Sequence, residues 1–251
     1  MMFDLFYIPE IILSIGILLI IVIDLYLEKH KYISYLLIQF LLILASFYAL
    51  TEVPEQTYGS YEFSRFTSLI KFLLLAGALI IFHYTYRHLN YLNNLKIEYF
   101  TISVLGLIGT MIMVSAYSLL MLYLGIELLS LALYALIGFN KNSKLSSEAA
   151  IKYYVLGAMS SGILLFGISL IYGFTGSINY FEIADQISSV NYDSVQFLGI
   201  IFGMVFITAS LCFKFGAAPF HIWVPDIYQG SLVSTTILLS TLPKVAVFVV
   251  F

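Results

Sequence analysis

The sequence predicts an all-α membrane protein of about eight transmembrane helices. Three observations carry this. Hydrophobic residues make up 61% of the chain and charged residues only 10%, where a soluble domain carries about 25% charged residues. The mean hydropathy is +1.01. The apolar residues fall in long unbroken runs, whereas a transmembrane β-barrel shows shorter segments of alternating character.

The first run, 7–27, is long enough to cross a bilayer. The opening Met1-Met2-Phe3-Asp4 lacks the positive stretch of a cleaved signal peptide, so this helix is expected to be retained. Further spans are expected at 33–50, 66–86, 98–115, 117–138, 149–173, 196–220 and 232–251. The last, Leu232 to Phe251, is 20 residues, about 30 Å as a helix and just enough to cross.

Charge sorts by loop. Lys29 and Lys31 follow the first span, Arg87 and Lys96 the third, Lys141 and Lys144 the fifth. The opposite loops carry Glu52, Glu55 and Glu62, then Glu182, Asp185 and Asp193, with Arg65 against the trend. The positive-inside rule puts the first set in the cytoplasm or matrix and both chain ends outside. The net charge of −3 and the lack of a basic tract offer nothing to nucleic acid. Cys212 is the one cysteine, so neither an intrachain disulfide nor a cysteine metal cluster can form. No His/Asp/Glu group has metal-ligand spacing, and neither a phosphate loop nor a nucleophile elbow occurs. Redox or hydrolytic chemistry by this chain alone thus has no support. The 21 Phe and 20 Tyr fit an AT-rich genome, and Tyr at helix ends also suits interfacial belts.

Four charges inside the apolar runs stand out as candidates: Glu127, Lys152, Lys214 and Lys244. Charge at membrane depth costs roughly 2.5–3.5 kcal/mol on insertion scales and marks ion or proton paths. Tyr123, Glu127, Ser130 and Tyr134 recur at steps of four, three and four, a polar stripe on one helix face. A Glu that merely fixes packing is the competing reading, but Ser or Gln would do that without charge. Beyond Lys214 the chain reads Phe215-Gly216-Ala217-Ala218-Pro219. A proline cannot donate to the carbonyl four residues back, so a broken helix with free carbonyls beside Lys214 is expected. An ordinary kink with a snorkelling lysine is the alternative. Thr236, Ser240 and Lys244 share a face, and Pro243 frees the carbonyl of Leu239, a setting for a short chain of waters. Packing by small residues competes with that reading. Lys152 is weaker: Glu148 four residues earlier suits a helical ion pair, and snorkelling explains it as well. Gly157, Ser160, Ser161 and Gly162 follow it and are expected to allow close helix approach. His221 is either a proton relay or an interfacial cap. Burial and a nearby carboxylate pull a lysine's proton affinity in opposite directions, so an acid that moves can switch it. Whether Glu127 meets Lys214 stays open in the sequence.

Three stretches carry a resemblance: Leu122-Tyr123-Leu124-Gly125-Ile126-Glu127-Leu128-Leu129-Ser130, Ser147-Glu148-Ala149-Ala150-Ile151-Lys152-Tyr153-Tyr154, and the long run from Phe213 through Lys214, Pro219 and His221 to Asp226-Ile227-Tyr228-Gln229-Gly230. They resemble subunit 2 of NADH:quinone oxidoreductase (respiratory complex I), and Thr241-Leu242-Pro243-Lys244 fits its next segment. The resemblance implies three N-terminal helices over 1–97 and a first antiporter-like five-helix repeat over 98–251. It implies Glu127 as the glutamate of the fifth helix, Lys214 as its partner on a broken seventh, and Lys244 as a carrier on the eighth. It implies NADH:ubiquinone electron transfer coupled to proton pumping in the mitochondrial inner membrane, or the bacterial plasma membrane, with the N-terminus on the intermembrane-space side. FMN, iron–sulfur clusters and quinone are then expected in other subunits, with no cofactor in this chain. Expected partners are lipids, other membrane-arm subunits and a separate chain supplying the second repeat, which makes this one part of a split subunit. The segment after Gly230 lacks the proline usual in that family. An Mrp-type cation/proton antiporter subunit and a non-pumping structural subunit are the alternatives.

Overall fold

A computed structural model describes residues 8–26, 31–51, 56–92, 94–191 and 194–251. Met1 to Asp4, Lys29, Glu52, Glu55 and Asp193 lie outside these residues. The elements are α1 (Ile8–Tyr26), α2 (Lys31–Ala49), β1 (Gln56–Tyr58), β2 (Tyr61–Phe63), α3 (Arg65–Tyr91), α4 (Ile97–Val114), α5 (Leu119–Ile137), α6 (Lys144–Thr175), α7 (Tyr180–Ser189), α8 (Val195–Phe215), α9 (Trp223–Gly230) and α10 (Val233–Val250). Among them, 8 helices are long and apolar enough to cross a membrane, matching the expected spans. The hairpin and the short helices α7 and α9 lie in segments expected to be loops.

Hydroxyl caps set several helix starts. Ser64 and Thr67 form a reciprocal capping box at α3, with Thr67 N–H on Ser64 Oγ at 3.2 Å and Ser64 N–H on Thr67 Oγ1 at 3.0 Å. Ser118, Ser143 and Ser194 cap α5, α6 and α8 in the same sense. α6 therefore begins at Lys144, a turn before the apolar run that predicted it.

Backbone hydrogen bonds at one end of the bundle and a side-chain bond at the other sort the connections between helices. At one end, β2 pairs with the α4–α5 turn: Glu62 N–H donates to Ser115 O at 2.9 Å and Tyr117 N–H to Ser60 O at 2.8 Å. That turn in turn joins the α6–α7 connection, where Leu119 N–H donates to Ile178 O at 2.9 Å. These are the connections whose loops the charge pattern puts outside. At the other end, Lys31 Nζ donates to Leu95 O at 2.9 Å.

α4 is the most enclosed span, with 78% of its apolar window buried against 22% for α8. It lies against α5 with glycine facing glycine. A Cβ on Gly109 would stand 2.7 Å from Leu129 N, and one on Gly125 2.9 Å from Met113 N. Gly167 of α6 and Gly203 of α8 repeat the arrangement: a Cβ on Gly167 would stand 2.8 Å from Gly203 O, and one on Gly203 3.0 Å from Gly167 O. Small residues let membrane helices approach this closely, where van der Waals packing is a main attraction. The contact fixes α5, and with it the polar stripe, against the centre of the fold.

Candidate proton-transfer site

α5 presents Ser130 to the interior, 2% exposed. Its hydroxyl donates to Ile126 O at 2.7 Å and accepts from Lys214 Nζ at 2.8 Å. Lys214, in the last turn of α8, also reaches Ser161 Oγ on α6 at 3.4 Å. Three helices thus meet on one ammonium. A cavity of about 10 Å³ beside Ser130, Lys214, Tyr153 and Pro243 offers room on the order of one water.

Glu127 lies three residues from Ser130 on the same stripe. Its Oε1 is buried and makes no hydrogen bond among the described residues. Lys214 rests on Ser130, and no ion pair joins it to Glu127 among the described residues. The stripe ends at Tyr134, whose hydroxyl packs into the space a side chain at Gly157 would fill. Of the small residues after Lys152, Ser160 hydrogen-bonds Ser210 Oγ at 2.9 Å, whereas Gly162 has open space where its Cβ would be. Gly162 therefore does not serve the close helix approach expected of it.

The expected break is present, with a different cause. α8 stops at Phe215 because Gly216 turns left-handed (φ +78°), a conformation that favours glycine. Pro219 lies past the helix end, in the connection to α9, so the predicted span to residue 220 is too long. The exposed carbonyls are real. Lys244 of α10 donates to Lys214 O at 3.0 Å and to Phe215 O. Pro243 sits inside α10, which continues through it. Thr236 bonds Ser231 Oγ at 2.8 Å, and Ser240 turns back to Ile237 O at 3.1 Å on an exposed surface. The short start between α9 and α10 is thus held by hydroxyls, where the family resemblance led one to expect proline.

Lys152 does not join this group. It pairs with Glu148 at 2.8 Å, as the spacing predicts, and with Asp226 of α9 at 2.9 Å, and its side chain is 45% exposed. His221 is exposed in the α8–α9 connection, its carbonyl accepting from Val224 N–H at 3.0 Å.

One buried pair escaped the sequence reading. Lys71 of α3 and Glu10 of α1 meet at 2.6 Å, with side chains 5% and 9% exposed. The ammonium also stands 5.7 Å from the centre of the Phe63 ring. Both residues fall inside expected spans, so the rule that singled out Glu127 applies equally to them.

Comparison with known proteins places this geometry. Residues 116–251, more than half of the chain, match the family described as NADH:quinone oxidoreductase/Mrp antiporter, TM. The chain is 43% identical over 245 residues to NADH-quinone oxidoreductase subunit N of Ruthia magnifica, covering 96% of this chain and 51% of that protein. It is 39% identical over 246 residues to subunit N of Hydrogenovibrio crunogenus, again covering 96% and 51%. The chain therefore spans about half the length of the curated relatives it matches. Its fold superposes with TM-score 0.78 on a chain of respiratory complex I from Thermus thermophilus with bound aureothin, at 25% identity over 96% of this chain and 52% of that one. A chain of the membrane-bound sulfane sulfur reductase, an archaeal respiratory membrane complex, shares the fold with TM-score 0.72 at 19% identity, covering 92% and 51%. The break after α8 and the lysines on either side of it all lie within the matched residues, and the chain belongs to the NADH:quinone oxidoreductase/Mrp antiporter transmembrane family.

Proposed function

We propose that this chain forms the first proton-handling half of a membrane-arm subunit of a proton-translocating NADH:quinone oxidoreductase. The observation that carries the reading is Lys214. Its ammonium sits at a helix break, on hydroxyls from two other helices, with the unpartnered carboxylate oxygen of Glu127 one turn along the same stripe. Hydroxyls accept from an ammonium without neutralising it, so the lysine stays able to give up its proton when the local field changes. Glu127 supplies that field, Lys214 holds the proton, and Lys244 receives it across the break. Lys152 and His221 are weaker candidates, because both open toward the surface in this chain.

Residues 1–97 then form an accessory layer of three helices, and 98–251 the first five-helix repeat. The helices of a second repeat complete the module, either on a continuation of this chain or on a separate polypeptide. NADH oxidation, with its FMN, iron–sulfur clusters and quinone, belongs to partner subunits. The relatives compared are bacterial, which supports a bacterial plasma membrane over a mitochondrial one, with the N-terminus and the hairpin end outside.

Proton uptake driven by NADH in vesicles holding the assembled complex tests the reading. Lys214→Met is expected to lower the protons moved per NADH oxidised while the subunit stays assembled. An unchanged ratio overturns it. The family description also covers Mrp antiporters; purification with NADH dehydrogenase and iron–sulfur subunits discriminates between the two.

A further inference from the structure

A helix leaves its last four carbonyls without an intrahelical partner, and at the end of α8 each of the four can be accounted for. Cys212 O accepts from Gly216 N–H at 2.9 Å and Ala217 N–H at 3.0 Å. Phe213 O accepts from Gly216 N–H at 3.0 Å and from the Trp223 indole at 3.0 Å. Lys214 O and Phe215 O receive no backbone donor among the described residues, and both are taken by the ammonium of Lys244. The seat is shaped for that group. The Trp223 ring centre lies 5.0 Å from Nζ and that of Phe215 5.8 Å away, while a Cβ on Gly216 would stand 3.2 Å from it. The C-terminal end of a helix carries partial negative charge, so the cationic form of the lysine suits the position best.

We propose that Lys244 is a positioning residue for Lys214: its ammonium is the C-terminal cap of the helix that carries Lys214, so loss of its proton loosens that helix end. The capping claim stands on the hydrogen bonds alone; its consequence for transport rests on the reading of Lys244 as a proton carrier. When Lys244 gives up its proton, the charge–dipole attraction goes and the two carbonyls keep only a neutral amine. The last turn of α8 frays, and Lys214 is freed from its hold on Ser130 and Ser161. The coupling is reciprocal: a well-formed break favours the proton on Lys244, and an opened one releases it.

The charged or titratable groups on the packed elements face other partners or lie elsewhere. Lys214 of α8 points to Ser130, Asp226 of α9 pairs with Lys152, Lys71 of α3 pairs with Glu10, and Tyr99 of α4 bonds Thr235. Glu127 of α5 bears on Lys214. Glu98 of α4 and Arg65, His83, Arg87 and His88 of α3 are the other charged or imidazole groups on these helices, beside the phenols Tyr84, Tyr86 and Tyr91 of α3, Tyr123 and Tyr134 of α5 and Tyr228 of α9, and the thiol Cys212 of α8. Lys244 makes no ion pair among the described residues.

Amide hydrogen exchange in the assembled complex, held in lipid nanodiscs, tests the cap. Gly176 supplies an internal reference, since it ends α6 in the same left-handed conformation (φ +74°) with a backbone bond to Tyr172 O. In the unaltered protein, exchange at Gly216 and Ala217 relative to Gly176 is expected to rise as pH rises and Lys244 loses its proton. In Lys244→Met the ratio is expected to be about fivefold higher at low pH and flat with pH. A ratio that is flat in the unaltered protein, or equal in the two proteins at every pH, overturns the proposal. Loss of pumping in Lys244→Met with unchanged exchange leaves the carrier reading standing and removes the cap.

Discussion

Lys214 donates to the Ser130 hydroxyl at 2.8 Å, and Ser130 in turn donates a hydrogen bond to the carbonyl of Ile126 at 2.7 Å. The shared stripe of α5 therefore meets Lys214 through its serine, with the carboxylate of Glu127 alongside. A hydrogen bond to a charged group contributes about 1.5–3 kcal/mol. Ser130→Ala is expected to lower proton translocation on the order of tenfold, because it strips the ammonium of its shorter bond. Ser161→Ala, which loses only the 3.4 Å contact, is expected to cost less than half of that free energy. Proton uptake in vesicles, normalised to assembled subunit, reads the order. Equal losses from the two changes would show that Ser130 has no special place.

The Glu10–Lys71 pair makes a different kind of prediction. Removing one partner of a buried pair leaves an unpaired charge and costs about 3–5 kcal/mol, whereas replacing both with apolar residues is often close to neutral. Glu10→Gln and Lys71→Met are each expected to lower the yield of folded protein sharply. The double change to Leu and Met is expected to recover most of it. Folded yield and thermal midpoint of the purified protein check this. A double variant as poor as the worse single one would mean that the charges themselves are required.

Much of this was legible beforehand, for identifiable reasons. The apolar runs mark the spans because the cost of exposing backbone to lipid forces long helices. Glu148 and Lys152 lie at helical spacing, so their ion pair could be foreseen; that Asp226 would join them depends on where α9 folds back, which no local pattern encodes. Pro219 drew attention to the right place, yet the break belongs to Gly216, because a left-handed glycine ends a helix before the proline matters. Lys71 and Glu10 sit on helices far apart in sequence, and neither lies in a motif. The cost of charge at membrane depth bears on them as it does on Glu127, but which charge meets which depends on how α1 packs against α3. The hairpin that ties β2 to the α4–α5 turn depends on long-range pairing, and its strands of 3 residues leave a weak signal.

The glycine contact between α4 and α5 sets a steric prediction. A methyl group at Gly109 would meet the backbone of Leu129 and Gly125 at 2.7–2.9 Å, and backbone cannot swing aside as a flexible side chain does. Gly109→Ala is expected to destabilise the protein by about 1–3 kcal/mol. Gly162→Ala, which adds its methyl to open space, is expected to leave the midpoint unchanged or slightly raised, since alanine favours the helix. Thermal unfolding in one detergent compares them directly, and similar midpoints for the two variants would contradict the close approach.

Outside the spans, Glu182 at the start of α7 accepts hydrogen bonds from the Ser177 hydroxyl and from Asn179 Nδ2, the latter at 3.3 Å. The Ser177 bond first, then the Asn179 bond, hold its carboxyl below the usual carboxylate range. A carboxyl lowered on folding adds order that is present above its unfolded value and is lost as pH falls through the folded one. The order at stake is that of the α6–α7 connection, where Ser177 Oγ also accepts from Asn179 N–H at 3.1 Å and Asn179 bridges Ser118. Exchange at the Asn179 amide, corrected for the intrinsic pH effect, is therefore expected to accelerate as the medium is taken below the ordinary carboxylate range. Glu182→Gln is expected to exchange faster at neutral pH and to lose the acid-dependent rise, because an uncharged amide has no charge-assisted bonds to lose. If the rise persists in that variant, another group controls the connection.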